Sequence, residues 1–158
     1  MMVEASDMAP DCSFTTVDGT PKSINDYRGK ALVIYFYPKD DTPGCTTEAQ
    51  AFSALAAEFA SVNTHVLGIS RDSEKAHAKF TTKYDLKVEL GSDVSGEVTE
   101  AFGVWVEKSM YGRTYMGIER ATFLVEAHGK VDTVWRKVKV AGHAEAVLAQ
   151  AQALAALG

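Results

Sequence analysis

The sequence predicts one α/β domain, a mixed β-sheet with helices on both faces and an N-terminal β-hairpin. Three observations predict it. Ala31–Tyr37 (ALVIYFY) and His65–Ser70 (HVLGIS) are apolar on both alternating faces, as buried central strands are. Each is followed by a segment of helical periodicity, and strand–helix–strand units ask for parallel pairing. Near the C-terminus, Thr122–Glu126 and Lys130–Arg136 read as strands joined only by a turn at His128-Gly129, which asks for an antiparallel hairpin.

The elements follow in order. Cys12 to Val17 alternates and ends at Asp18-Gly19, a hairpin turn, with Lys22 to Ile24 as the return strand. Pro38 stops the first buried strand, and a polar loop leads to Thr42. Thr42 suits a helix N-cap and Pro43 the first helical position. Phe52, Leu55, Ala56 and Phe59 then recur at helical spacing. Ser73 to Tyr84 reads as a second helix capped by Ser73 or Asp72. Val88–Leu90 reads as a short strand and Gly96–Phe102 as a short helix. Gly103 to Glu119 has no clear period and reads as a loop. His143 to Leu157, rich in Ala and Leu, closes the chain as a helix. This order is thioredoxin-like.

The 158 residues suit a single domain over 1–158. Sixteen Lys and Arg against 21 Asp and Glu give a net charge of −5, which argues against nucleic acid as a partner. No apolar run is long enough to span a membrane. The first ten residues show no signal-peptide pattern, so a cytoplasmic location is expected. Cys12 and Cys45 are too few for a disulfide scaffold. The four His (His65, His77, His128, His143) lie in unrelated segments and read as surface or structural, so no metal and no cofactor are expected.

The chemistry points to Thr42-Pro43-Gly44-Cys45, where a central strand feeds a helix. The first turn of a helix has unpaired N–H groups and a partial positive charge, and both favour thiolate over thiol. Gly44 lets a ligand approach the backbone donors. The Thr42 hydroxyl can donate to or accept from an oxygen near the sulfur. The alternative for Cys45 is a small buried hydrophobe.

Residues 35–48, Tyr-Phe-Tyr-Pro-Lys-Asp-Asp-Thr-Pro-Gly-Cys-Thr-Thr-Glu, resemble the peroxidatic motif of peroxiredoxins. Further blocks agree: Ala9-Pro10-Asp11, Asp26 to Gly29, Phe102 to Trp105, Glu107-Lys108, Tyr111-Gly112 and Gly117 to Phe123. Together they resemble the peroxiredoxin Q, or bacterioferritin-comigratory, subfamily over nearly the whole chain. The resemblance implies a thiol peroxidase for hydrogen peroxide and organic hydroperoxides, with a role in antioxidant defence. Cys45 would become a sulfenic acid, with Pro38 packed beside it, Thr42 bonding the peroxide and Arg120 steadying thiolate and peroxide. It also suggests a monomer or weak dimer.

The sequence departs from that pattern in one respect. Many members carry a resolving cysteine at the position of Gln50, others in the next helix, and Ser73–Tyr84 has none. Cys12 falls where the family has an apolar core residue and reads as a buried hydrophobe sharing a strand face with Phe14. A one-Cys cycle is therefore expected, with thioredoxin, glutaredoxin or a small thiol as external reductant. Two rival readings have specific requirements of their own. A dithiol oxidoreductase needs Cys-x-x-Cys, and Glu48 fills the second position. A sensor or holdase would need an exposed apolar surface, such as one around Val104 to Tyr115.

Overall fold

A computed structural model describes residues 3–157. Seven strands form one sheet in the order β2-β1-β5-β4-β3-β8-β9. At its centre β3 (Ala31–Phe36) lies parallel to β4 (Thr64–Ser70), which lies parallel to β5 (Glu89–Ser92). β1 (Ser13–Thr16) and β2 (Pro21–Ser23) form the expected N-terminal hairpin, antiparallel to β5. On the other side β8 (Ala121–Val125) pairs antiparallel with β3, and β9 (Val131–Trp135) with β8.

The period of two sorts the central strands onto two cores. Leu32, Ile34 and Phe36 of β3 face one cluster together with Phe123 and Val125, and α4 (Glu97–Ala101) covers it. Val33, Tyr35 and Tyr37 face the other. That second face is covered by α1 (Pro43–Ala54), α2 (Ala56–Ser61), α3 (Glu74–Tyr84) and α5 (His143–Leu157). Helices thus lie on both faces, as expected. Ser73 caps α3, its hydroxyl accepting from the Ala76 N–H at 3.1 Å.

Three expectations change. Gly103–Glu119 is not a loop: Trp105–Met110 (β6) and Arg113–Ile118 (β7) form a separate antiparallel hairpin. β6 is half-exposed and β7 mostly exposed, so no apolar alternation marks them. Their turn at Tyr111-Gly112 has φ of 52° and 77°, a conformation usually signalled by Asn-Gly. The periodic Phe52–Phe59 segment is broken at Leu55 into α1 and α2. Ile24 begins a 3-10 turn rather than ending β2, because the Ser23 N–H is taken by the Asp26 carboxylate at 2.8 Å.

Close approach fixes Gly68 in β4. A Cβ there would sit 2.6 Å from the ring of Tyr35, which is fully buried and cannot retreat. Gly68→Ala should therefore cost about 1–3 kcal/mol by overpacking, read as a lower urea midpoint at unchanged m-value.

Candidate active site

Cys45 is the third residue of α1, and its side chain is 2% exposed. The first helical bond closes from the Thr46 N–H to the Thr42 carbonyl at 2.8 Å, which leaves the Gly44 and Cys45 amides without intrahelical acceptors. Arg120 arrives from 75 residues away in sequence. Its Nη2 donates to Cys45 Sγ at 3.3 Å and its Nη1 to Glu48 Oε1 at 2.5 Å.

The sheet register delivers Arg120 there. Phe36, the last residue of β3, lies opposite Ala121, the first of β8, so the residue before β8 stands beside the exit of β3. Alternation along β8 puts Thr122 and Leu124 on the face that carries Cys45, and Arg120 continues that row. A Cβ on Gly44 would lie 3.4 Å from Arg120 Nη2, in ordinary contact with the guanidinium, which places Gly44 beside it.

Of the expected site residues, the structure brings Cys45, Arg120 and Gly44 together. Thr42 occupies the N-cap position but does not cap: its hydroxyl donates to the Lys39 carbonyl at 2.8 Å. Its lone pairs remain able to accept a peroxide O–H. Pro38 lies exposed two residues past the end of β3. Gln50 is exposed on α1.

Glu48 is a buried partner of Arg120 that the sequence does not single out. It is 1% exposed, and its Oε2 has no hydrogen-bond partner among the described residues. Burial pushes its carboxyl up to about 7, with the Arg120 charge and hydrogen bond only partly opposing. The spacing from Cys45, three residues on a helix, was the signal that could have shown both on one face. Two more groups register the guanidinium. His143, which shares a 2.8 Å hydrogen bond with the Thr122 hydroxyl, is lowered to about 4 by burial first and the Arg120 charge second. Lys108 on β6, half-buried, is lowered by burial and then by Arg120.

The loop before Cys45 is tied to α3. The Tyr37 hydroxyl donates to Asp40 at 2.6 Å, and the other Asp40 oxygen meets His77 Nδ1 at 2.6 Å. His77 is fully buried, and its Nε2 meets the Gly91 carbonyl at 3.0 Å. The Asp40 N–H donates to Asp72 at 2.9 Å. Lys83 and Tyr84 hold Asp41 at 2.7 and 2.6 Å. Asp40, Asp72 and His77 bring ligand-type atoms within 4.8 Å of one another, but hydrogen bonds already engage those of Asp40 and His77.

Residues 5–134 match the AhpC/TSA family. The chain belongs to that family. Peroxiredoxin Bcp of Xanthomonas campestris is 51% identical over 85% of this chain and 84% of its own. Peroxiredoxin Bcp of Bacillus subtilis is 44% identical over 90% and 91%. Among solved structures, a Xylella fastidiosa PrxQ mutant superposes with TM-score 0.91 at 40% identity, covering 98% of both chains. A Xanthomonas campestris bacterioferritin comigratory protein, whose structures concern alkyl peroxide reduction, superposes with TM-score 0.88 at 44% identity, again over 98% of both. The chain is a peroxiredoxin of the Bcp/PrxQ kind, a thiol peroxidase with a thioredoxin-like fold. No helix among the described residues is long and apolar enough to cross a membrane.

Two predictions follow from Arg120 and Glu48. Arg120→Lys keeps the charge but loses the fork that reaches both partners. Oxidation of Cys45 by peroxide, followed by stopped flow, should slow by about a hundredfold or more. Glu48, raised when folded, holds its proton to higher pH in the native than in the unfolded chain. Stability from this group is full below about 4.5, the ordinary value, and declines as pH rises to about 7. The loss should reach roughly 3 kcal/mol. Glu48→Gln should flatten the urea-unfolding profile across that window.

Proposed function

We propose that Cys45 is the peroxidatic thiol and that it works in a one-Cys cycle completed by a thiol from outside the chain. The observation that carries the proposal is the placement of the two thiols. Cys45 packs in the cluster on the α1 face of the sheet, and Cys12 in the cluster on the opposite face. Cys12 Sγ donates to the Pro10 carbonyl at 3.6 Å, and burial, with Glu97 next, pushes its thiol up to about 12. A protonated thiol behind the sheet is a poor attacker of a sulfenic acid on its front. Exposed Gln50 offers no sulfur, and α3 carries no cysteine.

The reaction begins with in-line attack of the Cys45 thiolate on one peroxide oxygen. A sulfur–oxygen bond forms, the O–O bond breaks, and the leaving oxygen takes the electron pair and then a proton. Hydrogen peroxide releases water and an organic hydroperoxide releases an alcohol. Arg120 and the open amides of Gly44 and Cys45 are fixed donors close to where that charge develops. Thr42 accepts from the peroxide, or donates after turning from Lys39. Pro38, at the exposed mouth of the loop, restricts its backbone. Holding the peroxide in near-attack geometry supplies much of the rate. The sulfenic acid is then reduced by thioredoxin, glutaredoxin or a small thiol in the cytoplasm, and the chain acts as a monomer or weak dimer.

The test is a non-reducing gel with intact mass after one equivalent of peroxide. A mass gain of one oxygen on Cys45, and turnover within about twofold of wild type in Cys12→Ser, are expected. Cys45→Ser should abolish peroxide consumption. A Cys12–Cys45 disulfide within one chain would sink the one-Cys cycle, and undiminished consumption by Cys45→Ser would sink the role of Cys45.

A further inference from the structure

We propose that a groove between the 39–41 turn and α3 binds a small dianionic thiol, one whose sulfhydryl lies between two carboxylates, and presents it to oxidised Cys45. The inference rests on the external-thiol cycle above and names the reductant class and its site. The groove has a volume of about 780 Å³, and its charged lining is Lys39, Lys79 and Lys83 with Asp40, Asp41 and Asp72. That volume suits a tripeptide-sized ligand.

Charge selects the ligand. Asp41 holds Lys83 at 2.7 Å. Oδ2 of Asp72 accepts from Ser70 at 2.6 Å and from the Asp40 N–H at 2.9 Å. Asp40, which also lines the groove, is 6% exposed and has both oxygens engaged, one by the Tyr37 hydroxyl and one by His77. Lys39 and Lys79 are exposed and have no carboxylate partner among the described residues. Two unpaired ammonium groups over a partly apolar floor match two carboxylates on a short chain. An ammonium on the same ligand could meet the half-exposed Asp41 carboxylate, which is 43% accessible.

Position makes the groove useful to Cys45. Phe80 on its floor belongs to the same apolar cluster as Cys45 and Tyr37. The segment that forms one wall, Lys39 to Asp41, runs directly into the first turn of α1. Because Cys45 is 2% exposed, a thiol reaches its sulfur only when that turn moves. The ties that hold it, Asp41 to Lys83 and Tyr84 and Asp40 to His77, are in or beside the groove walls. A ligand carboxylate that competes with Asp41 for Lys83 loosens one of them.

The chemistry balances. The bound thiolate attacks the sulfenic sulfur, an S–S bond forms, the S–O bond breaks, and hydroxide leaves and takes the thiol proton as water. A second thiol then attacks the ligand sulfur of the mixed disulfide. Cys45 leaves as thiolate, and the ligand departs as its symmetrical disulfide.

Glutathione and its unreactive S-methyl derivative are the probes. S-methylglutathione titrated into the reduced chain should shift amides of 39–41 and 76–83 saturably, with affinity about tenfold weaker in Lys39→Gln/Lys79→Gln. With Cys45 oxidised by one equivalent of peroxide, the ratio of reduction rates for glutathione over neutral 2-mercaptoethanol should fall about tenfold in that variant. It should fall in wild type as salt rises, and survive in Lys39→Arg/Lys79→Arg. Absence of saturation, or an unchanged ratio in the Gln variant, overturns the proposal. Reduction by thioredoxin but not glutathione also overturns it while leaving the external-thiol cycle standing. A Cys12–Cys45 disulfide removes that cycle, whereas S-methylglutathione binding reports on the groove alone.

Discussion

The candidate site hangs on one guanidinium. Arg120 spans Glu48 and Cys45, which lie one turn apart on the same face of α1, and so locks the helix to the end of β8. A buried ion pair of this kind contributes little net stability, because the charges lose their hydration. Its effect is orientation. The fork fixes where the sulfur points, and β3–β8 pairing fixes where the fork stands. Glu48 is costly to ionise where it sits, as its raised carboxyl shows. The protein tolerates that cost at a position where a neutral residue would leave the arginine free to turn away.

The same sheet that places Arg120 separates the two thiols. A residue's parity on β3 or β8 decides which core it enters, and the two cores do not meet through the sheet. Cys12, on the hairpin beyond β5, falls with Phe14 on the α4 side. Cys45, on the helix after β3, falls on the α1 side. Cysteine count alone would allow a disulfide; the sheet separates the partners. In this way a topological feature, legible as strand alternation, bears on the second half of a redox cycle.

Much of this was legible and some was not, for identifiable reasons. The central strands announced themselves because burial on both faces forces continuous apolar runs. The strand-to-helix junction at Cys45 was legible from Thr-Pro-Gly, while the resemblance of residues 35–48 to the peroxiredoxin motif, not the junction, singled the cysteine out. The Cys12 reading as a core residue beside Phe14 agrees with its burial. The β6–β7 hairpin was hidden because it is half-exposed and turns on Tyr-Gly. Glu48 was passed over because a glutamate in a helix is ordinarily solvated, and only the long-range arrival of Arg120 makes it buried. The Asp40–His77 contact was likewise invisible. It joins residues 37 apart that no local pattern relates.

Protection and access pull this site in opposite directions. In the proposed reaction, peroxide attack benefits from a sulfur held in a dry place among fixed donors, and a 2% exposed Cys45 beside Arg120 fits that need. Reduction of the sulfenic acid needs a second sulfur to approach along the S–O bond, which the folded first turn of α1 blocks. With a resolving cysteine nearby in the chain, opening and capture would be one event. In the proposed one-Cys cycle the turn must open toward an outside thiol, and the ties from Asp40 and Asp41 to α3 oppose it. The firmer those ties, the longer the sulfenic acid persists and the more often a second peroxide finds it before a thiol does. On the proposed cycle, the polar loop before Cys45 governs not whether the thiol reacts but how the oxidised sulfur is divided between recovery and irreversible oxidation.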